Sequence, residues 1–429
     1  MLVRFVLKNW KSCRAESELS LIATGEKQHS ETLANIKKFR LKLLPLTAIY
    51  GPNASGKSNL IEALSFAKKF ITNGLGVDEP IPVKRFKFDD SREKRPLEMQ
   101  FDLLINELIY EYKFAVTGRT VVSESLSLIN SSSKKVLFSR IDQSIELGKG
   151  MKEDAMLALS AQTTRSNTLF LTNSVLQNFK EFRLVYDWFD KTLLIENENS
   201  KCRFLPQCLN STSAIKELSR LLEDFDTGVH ELATESIDAT SLPIANEDLR
   251  CLRAQLKEGE EVLFRHPLTR ALFVLSKAGD ELEVKKVMAC CKTPQGSTIT
   301  FSMEELSFGV NRLIDLAPAL LSLNHDSSRV VFIDDLDQGF HTLLTQSLIR
   351  RFLSKCNASN RNQLIFTARD VQLMDQELLR RDEIRLMDRD SMSGSSLTAL
   401  SEFKDIRNDH NLIRSYLMGR LGGLPKMVA

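Results

Sequence analysis

One glycine-rich run in the sequence has residue types and spacing suited to holding phosphate. Residues 51–58 fit the pattern G-x-x-x-x-G-K-[ST], in which the loop turns its backbone N–H groups toward an anion. An apolar stretch precedes the run and a stretch with helical spacing follows it, as this chemistry requires. The ammonium of Lys57 would reach the β- and γ-phosphates, and the hydroxyl of Ser58 would ligate Mg²⁺. The residues predicted to bind nucleotide are Gly51, Pro52, Asn53, Ala54, Ser55, Gly56, Lys57, Ser58 and Asn59.

A pair of acidic residues follows a short apolar run in the last third of the chain. Val330 to Ile333 has the composition of a buried strand, and Asp334 and Asp335 come directly after it. Ligands of open α/β sheets gather at the carboxyl ends of the strands, so we expect these carboxylates to face the phosphate loop. Asp334 would hold Mg²⁺, and Asp335 would be the catalytic residue that orients the attacking water. The alternative is that both carboxylates are solvated and cap the next helix.

The composition is that of an ordinary water-soluble protein. The chain has 429 residues, enough for two or three domains, and a net charge of +2, which gives no overall attraction to nucleic acid or membrane. The seven cysteines form no C-x-x-C pair, which is typical of reduced thiols in a cytosol. No signal peptide is recognisable, and no apolar run is long enough to span a bilayer. We therefore expect a cytoplasmic protein without a membrane partner.

The order of the predicted elements indicates an α/β fold with one interruption. Runs rich in β-forming residues dominate residues 1–170, helical patterns follow in 171–262, and helix and strand alternate in 263–429. Such alternation implies parallel strands joined by crossover helices. We predict an N-terminal β-rich lobe and a parallel-sheet core, divided by a helical insertion whose last helix lies at 246–259.

Two further segments match motifs of known ATPases. Leu306 to Val310, just before a predicted helix, resembles the signature sequence of ABC-class ATPases. Ser307 would supply a hydroxyl, Gly309 would allow close approach, and the helix would present its positive N-terminus to an anion. An ordinary helix cap explains the same residues equally well. The run 364–370 matches the strand whose end normally carries a switch histidine.

With these motifs in this order, the chain resembles the stand-alone prokaryotic ABC-class ATPases related to SMC and OLD heads. Such proteins are often described as AAA-family ATPases of abortive-infection and phage-defence systems. The resemblance covers both ends of the chain, including a glycine-rich tail at 416–425. It implies a P-loop ATPase head that uses ATP and Mg²⁺ and forms a head-to-head homodimer with two sandwiched ATP molecules. Ser307 and Gly309 would then contact the γ-phosphate on the opposite subunit.

Three departures from the family pattern bear on hydrolysis. The family usually has glutamate in place of Asp335, and the shorter side chain holds its carboxylate about an ångström further from the water. Arg369 replaces the usual switch histidine; as a catalytic residue it would stabilise phosphate charge but could not relay a proton. The usual Ser-Leu-His after the acidic pair appears as Gly339, Phe340 and His341. We therefore predict good ATP binding and slow turnover.

The resemblance leaves more than one function class open. The first is a sensor and scaffold that controls a separate effector, a nuclease or toxin, in antiviral defence. We expect a separate effector because too few residues follow Asp390 for the nuclease domain that OLD-family proteins append. The second is a DNA-repair or chromosome-processing ATPase that acts directly on DNA, which a long coiled coil would favour; none is predicted. A nucleotide-binding protein without hydrolysis is a third.

Binding to nucleic acid depends on a group of arginines late in the chain. Acidic residues are interleaved with them, which favours a salt-bridged, solvated surface over a DNA-binding stripe. The arginines are Arg350, Arg351, Arg361, Arg380, Arg381, Arg385 and Arg389.

Overall fold

The computed structural model describes residues 1–86, 95–196, 203–204, 211–244, 256, 258, 261–266, 268–279, 281–324, 328–390, 394–403 and 412–424. The chain divides into two compact units. The first comprises Met1–Ile195, Asp326–Asp337 and Thr345–Ala429, and the second comprises Glu196–His325 and Gln338–Leu344. Within the described residues, no helix is both long enough and apolar enough to cross a membrane.

The N-terminal part of the first unit is rich in strands. Its strands are β1 (Leu2–Lys8), β2 (Ser17–Ser20), β3 (Ala34–Ile36), β4 (Leu41–Leu43), β5 (Leu46–Tyr50), β6 (Leu97–Ile105), β7 (Leu108–Val116), β8 (Val121–Ile129), β9 (Lys134–Ile141), β10 (Ser144–Leu147) and β11 (Leu193–Glu196). Its helices are α1 (Lys57–Asn73), α2 (Ala155–Thr163), α3 (Phe170–Leu176) and α4 (Arg183–Asp187), with a π-helical turn at Trp188–Thr192.

The second unit and the remainder of the first follow in the chain. The second unit contributes β12 (Arg203–Phe204), α5 (Ser211–Asp224), β13 (Glu231–Ile237), β14 (Glu261–Arg265), β15 (Leu272–Ala278), β16 (Glu281–Lys292), β17 (Thr298–Ser302) and α6 (Phe308–Ser322). The last part of the chain contains β18 (Val330–Ile333), α7 (Thr342–Leu353), β19 (Gln363–Thr367), β20 (Ile384–Asp390), β21 (Gly394–Ala399) and α8 (Leu412–Leu417).

A seven-stranded sheet forms the predicted N-terminal β-rich lobe. Its strand order is β10-β9-β8-β7-β6-β1-β2, and the pairs from β1 to β10 are antiparallel. The hairpin between β6 and β7 turns at Asn106 and Glu107, both with positive φ, as the tightest hairpin turns require. Buried aromatic side chains of this sheet pack against α1; the rings of Phe70 and Phe114 meet edge to face with centroids 6.1 Å apart.

A buried carboxylate joins this lobe to α3. Glu124 accepts hydrogen bonds from the backbone N–H groups of Phe170 and Leu171 at 2.6 and 3.0 Å and from the hydroxyl of Tyr112 at 2.9 Å. Burial raises the pKa of Glu124, whereas the backbone N–H groups and Arg140, 3.9 Å away, act in the opposite direction. The carboxylate therefore satisfies the first two N–H groups of α3, which have no acceptor in the backbone of the helix.

We expect Glu124→Ala to lower the free energy of unfolding by about 3 kcal/mol, because it leaves buried donors without an acceptor. Denaturant titration would measure the loss. Glu146→Ala is the matched control, since Glu146 is exposed on β10 of the same sheet, and it should cost under about 0.5 kcal/mol. Equal losses for the two variants would contradict this account.

The second sheet of the first unit is the predicted parallel core. Its order is β11-β18-β19-β5-β20-β21; β18, β19, β5 and β20 run parallel, and β21 is antiparallel to β20. β5, β18 and β19 are buried along their whole length, as expected for strands covered on both faces. The prediction of an α/β head with a parallel core is thus confirmed, and the carboxyl ends of four strands meet at one edge.

The second unit differs from the predicted helical insertion at 171–262. It begins at Glu196, and 171–195, including most of α3 and all of α4, belong to the first unit. Apart from α5 and α6, the described part of the second unit is mainly an antiparallel sheet of order β12-β14-β15-β16-β13, with β17 paired to β16. The predicted helix at 246–259 lies mostly outside the described residues. The structural division arises because 171–195 packs into the large core of the first unit, through Leu171, Val175 and Phe189.

Candidate functional site

The phosphate loop connects the buried strand β5 to the long helix α1, as predicted. Gly56 has φ of +112°, which side chains other than glycine rarely adopt. A β-carbon there would lie 2.5 Å from the hydroxyl of Ser395 and 2.6 Å from that of Ser12, and one at Gly51 would collide with the carbonyl of Met387. These glycines are therefore needed where neighbouring strands pack closely against the loop.

Lys57 is the first residue of α1, and its ammonium lies over the loop. Its Nζ donates to the carbonyl oxygens of Gly51 and Pro52, at 2.6 and 3.2 Å, and the residue is only 7% exposed. Burial lowers the pKa of Lys57, Arg369 acts in the same direction, and the nearby carboxylates of Asp335 and Asp334 raise it. Phosphate oxygens would offer this partly desolvated cation stronger acceptors than the loop carbonyls do.

Ser12 and Ser395, both distant from the phosphate loop in the sequence, belong to a set of hydrogen bonds that supports it. Ser395 at the start of β21 donates its hydroxyl to the carbonyl of Ser55 at 2.5 Å, and its backbone N–H donates to the carbonyl of Ser12 at 2.8 Å. The side chain of Asn59 donates to the Ser12 hydroxyl at 2.8 Å. Ser395 was missed by the sequence analysis, and no local pattern marks it. Asn59, predicted to contact nucleotide, supports the loop in this structure.

The acidic pair lies at the same edge of the parallel sheet. Asp334 and Asp335 follow β18 and are only 8% and 7% exposed, so they are not the solvated helix caps of the alternative interpretation. The Thr367 hydroxyl donates to Asp334 Oδ1 at 2.6 Å and accepts from the backbone N–H of Asp335 at 2.7 Å. Thr367, whose role the sequence analysis missed, therefore orients Asp334 and holds Asp335, whose φ is +48°.

Arg369 forms a two-point ion pair with Asp335. Its Nη2 lies 2.5 Å from Asp335 Oδ2, and its Nε donates to Oδ1 at 3.2 Å. The carboxylate of Asp337 accepts from the backbone N–H groups of Arg369 and Asp370, at 2.8 and 2.6 Å. The bonds to Asp335 raise the pKa of Arg369 further. The arginine predicted to contact phosphate thus binds the carboxylate predicted to be catalytic in this structure.

The signature-like residues lie in the second unit. Ser307 Oγ accepts from the backbone N–H of Val310 at 3.3 Å, so it caps α6. A β-carbon at Gly309 would lie 2.6 Å from the carbonyl oxygen of Gly339, so glycine is required here by the neighbouring backbone of the same chain. Phe308 is 47% exposed. The capping role is observed, and contact with a nucleotide of a second subunit stays a prediction.

A cavity of about 550 Å³ opens beside the phosphate loop. The C-terminal tail forms one wall, with the Tyr416 hydroxyl bonded to the carbonyl of Gly423 at 2.6 Å. The cavity joins the first residues of the phosphate loop to the Arg369 segment and the end of β20. Its lining residues are Gly51, Pro52, Asn53, Ala54, Ser55, Arg369, Val371, Asp388, Arg389, Tyr416, Leu417 and Leu424.

Comparison with known proteins identifies the family. Residues 46–172 and 256–375, more than half of the chain, match the family described as "AAA domain, putative AbiEii toxin, Type IV TA system". The chain belongs to this family. In this AAA-domain protein, the matched ranges include the phosphate loop, Ser307, Asp334, Asp335 and Arg369. The predicted family, the abortive-infection type of AAA ATPase, is confirmed.

A search of curated proteins found no significant match. Among solved structures, the SMC head domain from Thermotoga maritima is 13% identical with a TM-score of 0.39, covering 93% of this chain and 98% of that chain. An SmcHead bound to the C-winged helix domain of ScpA is 13% identical with a TM-score of 0.41, covering 94% and 99%. An Smc head with an extended coiled coil, bound to the C-terminal domain of ScpA from Pyrococcus furiosus, is 11% identical with a TM-score of 0.36, covering 94% and 97%.

The donor set of this AAA domain fits Mg²⁺. Asp334 supplies a buried carboxylate held in place by Thr367, and Ser58 supplies an exposed hydroxyl at the start of α1. Mg²⁺ prefers oxygen ligands and is usually bound by one or two protein groups together with substrate phosphates. Within the described residues, no group of three or more His, Cys, Asp or Glu side chains could hold a metal alone. Bound Mg²⁺ would neutralise phosphate charge.

We expect Thr367→Val to reduce ATP turnover about ten- to a hundredfold, since Asp334 and the Asp335 amide lose their shared partner. Steady-state hydrolysis at saturating ATP and Mg²⁺ would measure the effect. Thr47→Val is the matched control: Thr47 lies on the neighbouring strand β5, is fully buried, and its hydroxyl makes no hydrogen bond. Equal turnover in the two variants would show that Thr367 has no role in ATP hydrolysis.

Proposed function

We propose that the protein is an ATP-binding, slowly hydrolysing ABC-class ATPase that acts as a sensor and scaffold for a separate effector in antiviral defence. The observation that carries the ATPase assignment is the arrangement at one sheet edge: a glycine loop with Lys57 beside the buried pair Asp334 and Asp335. A loop of this kind binds the phosphates, one carboxylate holds Mg²⁺, and the other orients water.

Slow turnover follows from the residue that would orient the water. Asp335 has a shorter side chain than glutamate, so its carboxylate would lie about an ångström further from the attacking water. A misplacement of about an ångström can cost on the order of a hundredfold in rate. The protein would then act through the nucleotide that it has bound and not through rapid hydrolysis.

Bound nucleotide would act by controlling dimerisation. We propose that two copies of the chain close head to head around two ATP molecules. Ser307 and Gly309 of one copy would contact the γ-phosphate held by the loop of the other, and a two-fold arrangement completes both sites. The family description names a type IV toxin–antitoxin system. We propose that this chain likewise works in the cytoplasm with a separately encoded effector, a nuclease or toxin.

The buried arginines argue against the alternative of direct action on DNA. Arg380 is fully buried and pairs with Asp382 at 2.8 Å, and Arg385 is 7% exposed. Arg361 pairs with Glu107 at 2.9 Å. Three of the seven late arginines, Arg380, Arg381 and Arg385, are therefore internal, and the solvated surface predicted for the group is wrong at 380–385. These residues stabilise the fold at the start of β20 instead of offering a stripe to phosphates.

The test is dimerisation of the Asp335→Asn protein measured by light scattering with ATP, with ADP and without nucleotide. ATP should promote the dimer more than ADP, because only ATP offers the γ-phosphate. Adding Ser307→Arg to the Asp335→Asn protein should abolish ATP-dependent dimerisation, because a large charged side chain would then occupy the proposed interface. Ser236→Arg, at an exposed site on β13 of the same unit, should leave it unchanged. Assembly of the Ser307 variant as readily as its parent would show that this serine is not at an interface.

A further inference from the structure

The ion pair between Arg369 and Asp335 occupies the atoms that hydrolysis would need. The guanidinium contacts Oδ1 and Oδ2 of the carboxylate, the two oxygens that could accept a hydrogen bond from an attacking water. While this pair persists, each Asp335 oxygen accepts a hydrogen bond from a permanent cation, which leaves fewer lone pairs for an attacking water. In this structure the residue proposed to orient water is therefore held in an ion pair with Arg369.

Of the two partners, Arg369 is the one free to move. Asp335 is 10% exposed at its side chain, and its backbone N–H is bonded to Thr367. The Arg369 side chain is 61% exposed, whereas its backbone N–H is held by Asp337. Rotation about the side-chain bonds of Arg369 can therefore move the guanidinium while the main chain at both residues stays in place.

The Arg369 side chain lies beside the phosphate loop. Arg369 and residues 51–55 line the same cavity, so the guanidinium and the phosphate loop face one common space. Lys57 is the residue whose ammonium would meet the β- and γ-phosphates. A γ-phosphate at that place would present its oxygens to the forked N–H groups of the arginine much as a carboxylate does. It also carries more negative charge than a carboxylate.

We propose that Arg369 exchanges partners when ATP binds, releasing Asp335 and pairing with the γ-phosphate. This inference rests on the proposed ATPase function and adds a coupling to it: the group that binds the phosphate is the same group that blocks the water-orienting carboxylate. ADP, which lacks the γ-phosphate, leaves Arg369 on Asp335. Occupancy of the site by the hydrolysable nucleotide is thus what frees Asp335 to orient water.

The proposal predicts an energetic coupling that a double-mutant cycle can measure. Calorimetric titration with ATP and with ADP in Mg²⁺ would compare the wild type, Asp335→Asn, Arg369→Gln and the double variant. In wild type, ATP must compete with Asp335 for the guanidinium, so Asp335→Asn should tighten ATP binding about tenfold. With Arg369→Gln already present, the same substitution should change ATP affinity by less than about twofold. ADP affinity should change little throughout.

A simpler effect, repulsion between the Asp335 carboxylate and the γ-phosphate, also predicts tightening by Asp335→Asn, but equally with or without Arg369. Equal tightening in the two backgrounds, or none in the wild-type background, would overturn the exchange. Thermal unfolding of each variant identifies any that fails to fold, and Asp335→Ala then replaces Asp335→Asn in the cycle. If the wild type does not bind ATP at all, the proposed function fails, whereas a bound ATP without the coupling defeats only this inference.

Discussion

Replacing Lys57 by alanine is expected to weaken ATP binding by about a hundredfold or more, to the point where calorimetry detects none. The ammonium is buried at the loop, where its attraction to a triphosphate is screened less than at an open surface. Its hydrogen bonds go to the loop carbonyls of Gly51 and Pro52, so its loss removes little from the core. The fold should therefore survive the substitution.

The matched control is Lys69→Ala, which removes an exposed lysine from the same helix. It should leave ATP affinity unchanged, and circular dichroism should show the same helix content in both variants. If Lys57→Ala binds ATP as the wild type does, the phosphate loop is not the nucleotide site and the assignment of the whole sheet edge is lost.

The second large effect is expected at Asp335. Asp335→Asn should lower turnover by about a hundred- to a thousandfold, because the neutral amide cannot accept the water's proton or orient it as the carboxylate does. The variant should retain bound ATP over the time of the assay. Asp335→Glu lengthens the side chain by one methylene and brings the carboxylate closer to the water, so its turnover should equal or exceed that of the wild type.

Glu377→Gln serves as the control, since it neutralises an exposed carboxylate beyond the Arg369 segment; phosphate release should match the wild type. A wild-type turnover of tens per second would contradict the slow hydrolysis inferred from Asp335. Full activity in Asp335→Asn would assign the water-orienting role to another residue.

The phosphate loop could be predicted from the sequence because its chemistry is local. Eight consecutive residues between an apolar run and a helix determine where the backbone N–H groups point, through the φ values that glycine permits. Asp334 and Asp335 were predictable for a similar reason, since a four-residue apolar strand ends directly before them. The alternation of helix and strand likewise indicated the parallel sheet that brings both segments to one edge.

The partners of these residues depend on contacts between segments far apart in the chain. Thr367 reaches Asp334 only because β19 lies beside β18, and Ser395 supports Ser55 across 340 positions. No spacing rule links such pairs. The hydrophobic core selects the strand order, and the hydrogen bonds follow from that order.

Arg369 shows the difference most clearly. Its residue type established a permanent cation at the end of β19, and sequence reasoning assigned it to phosphate. Its pairing with Asp335 depends on a distance of 2.5 Å that the packing of two adjacent strand ends sets. The sequence by itself determined which chemical groups the site contains, because residue types and local backbone preferences are local properties. Only the tertiary structure decided which of those groups touch, because contact geometry depends on the whole core.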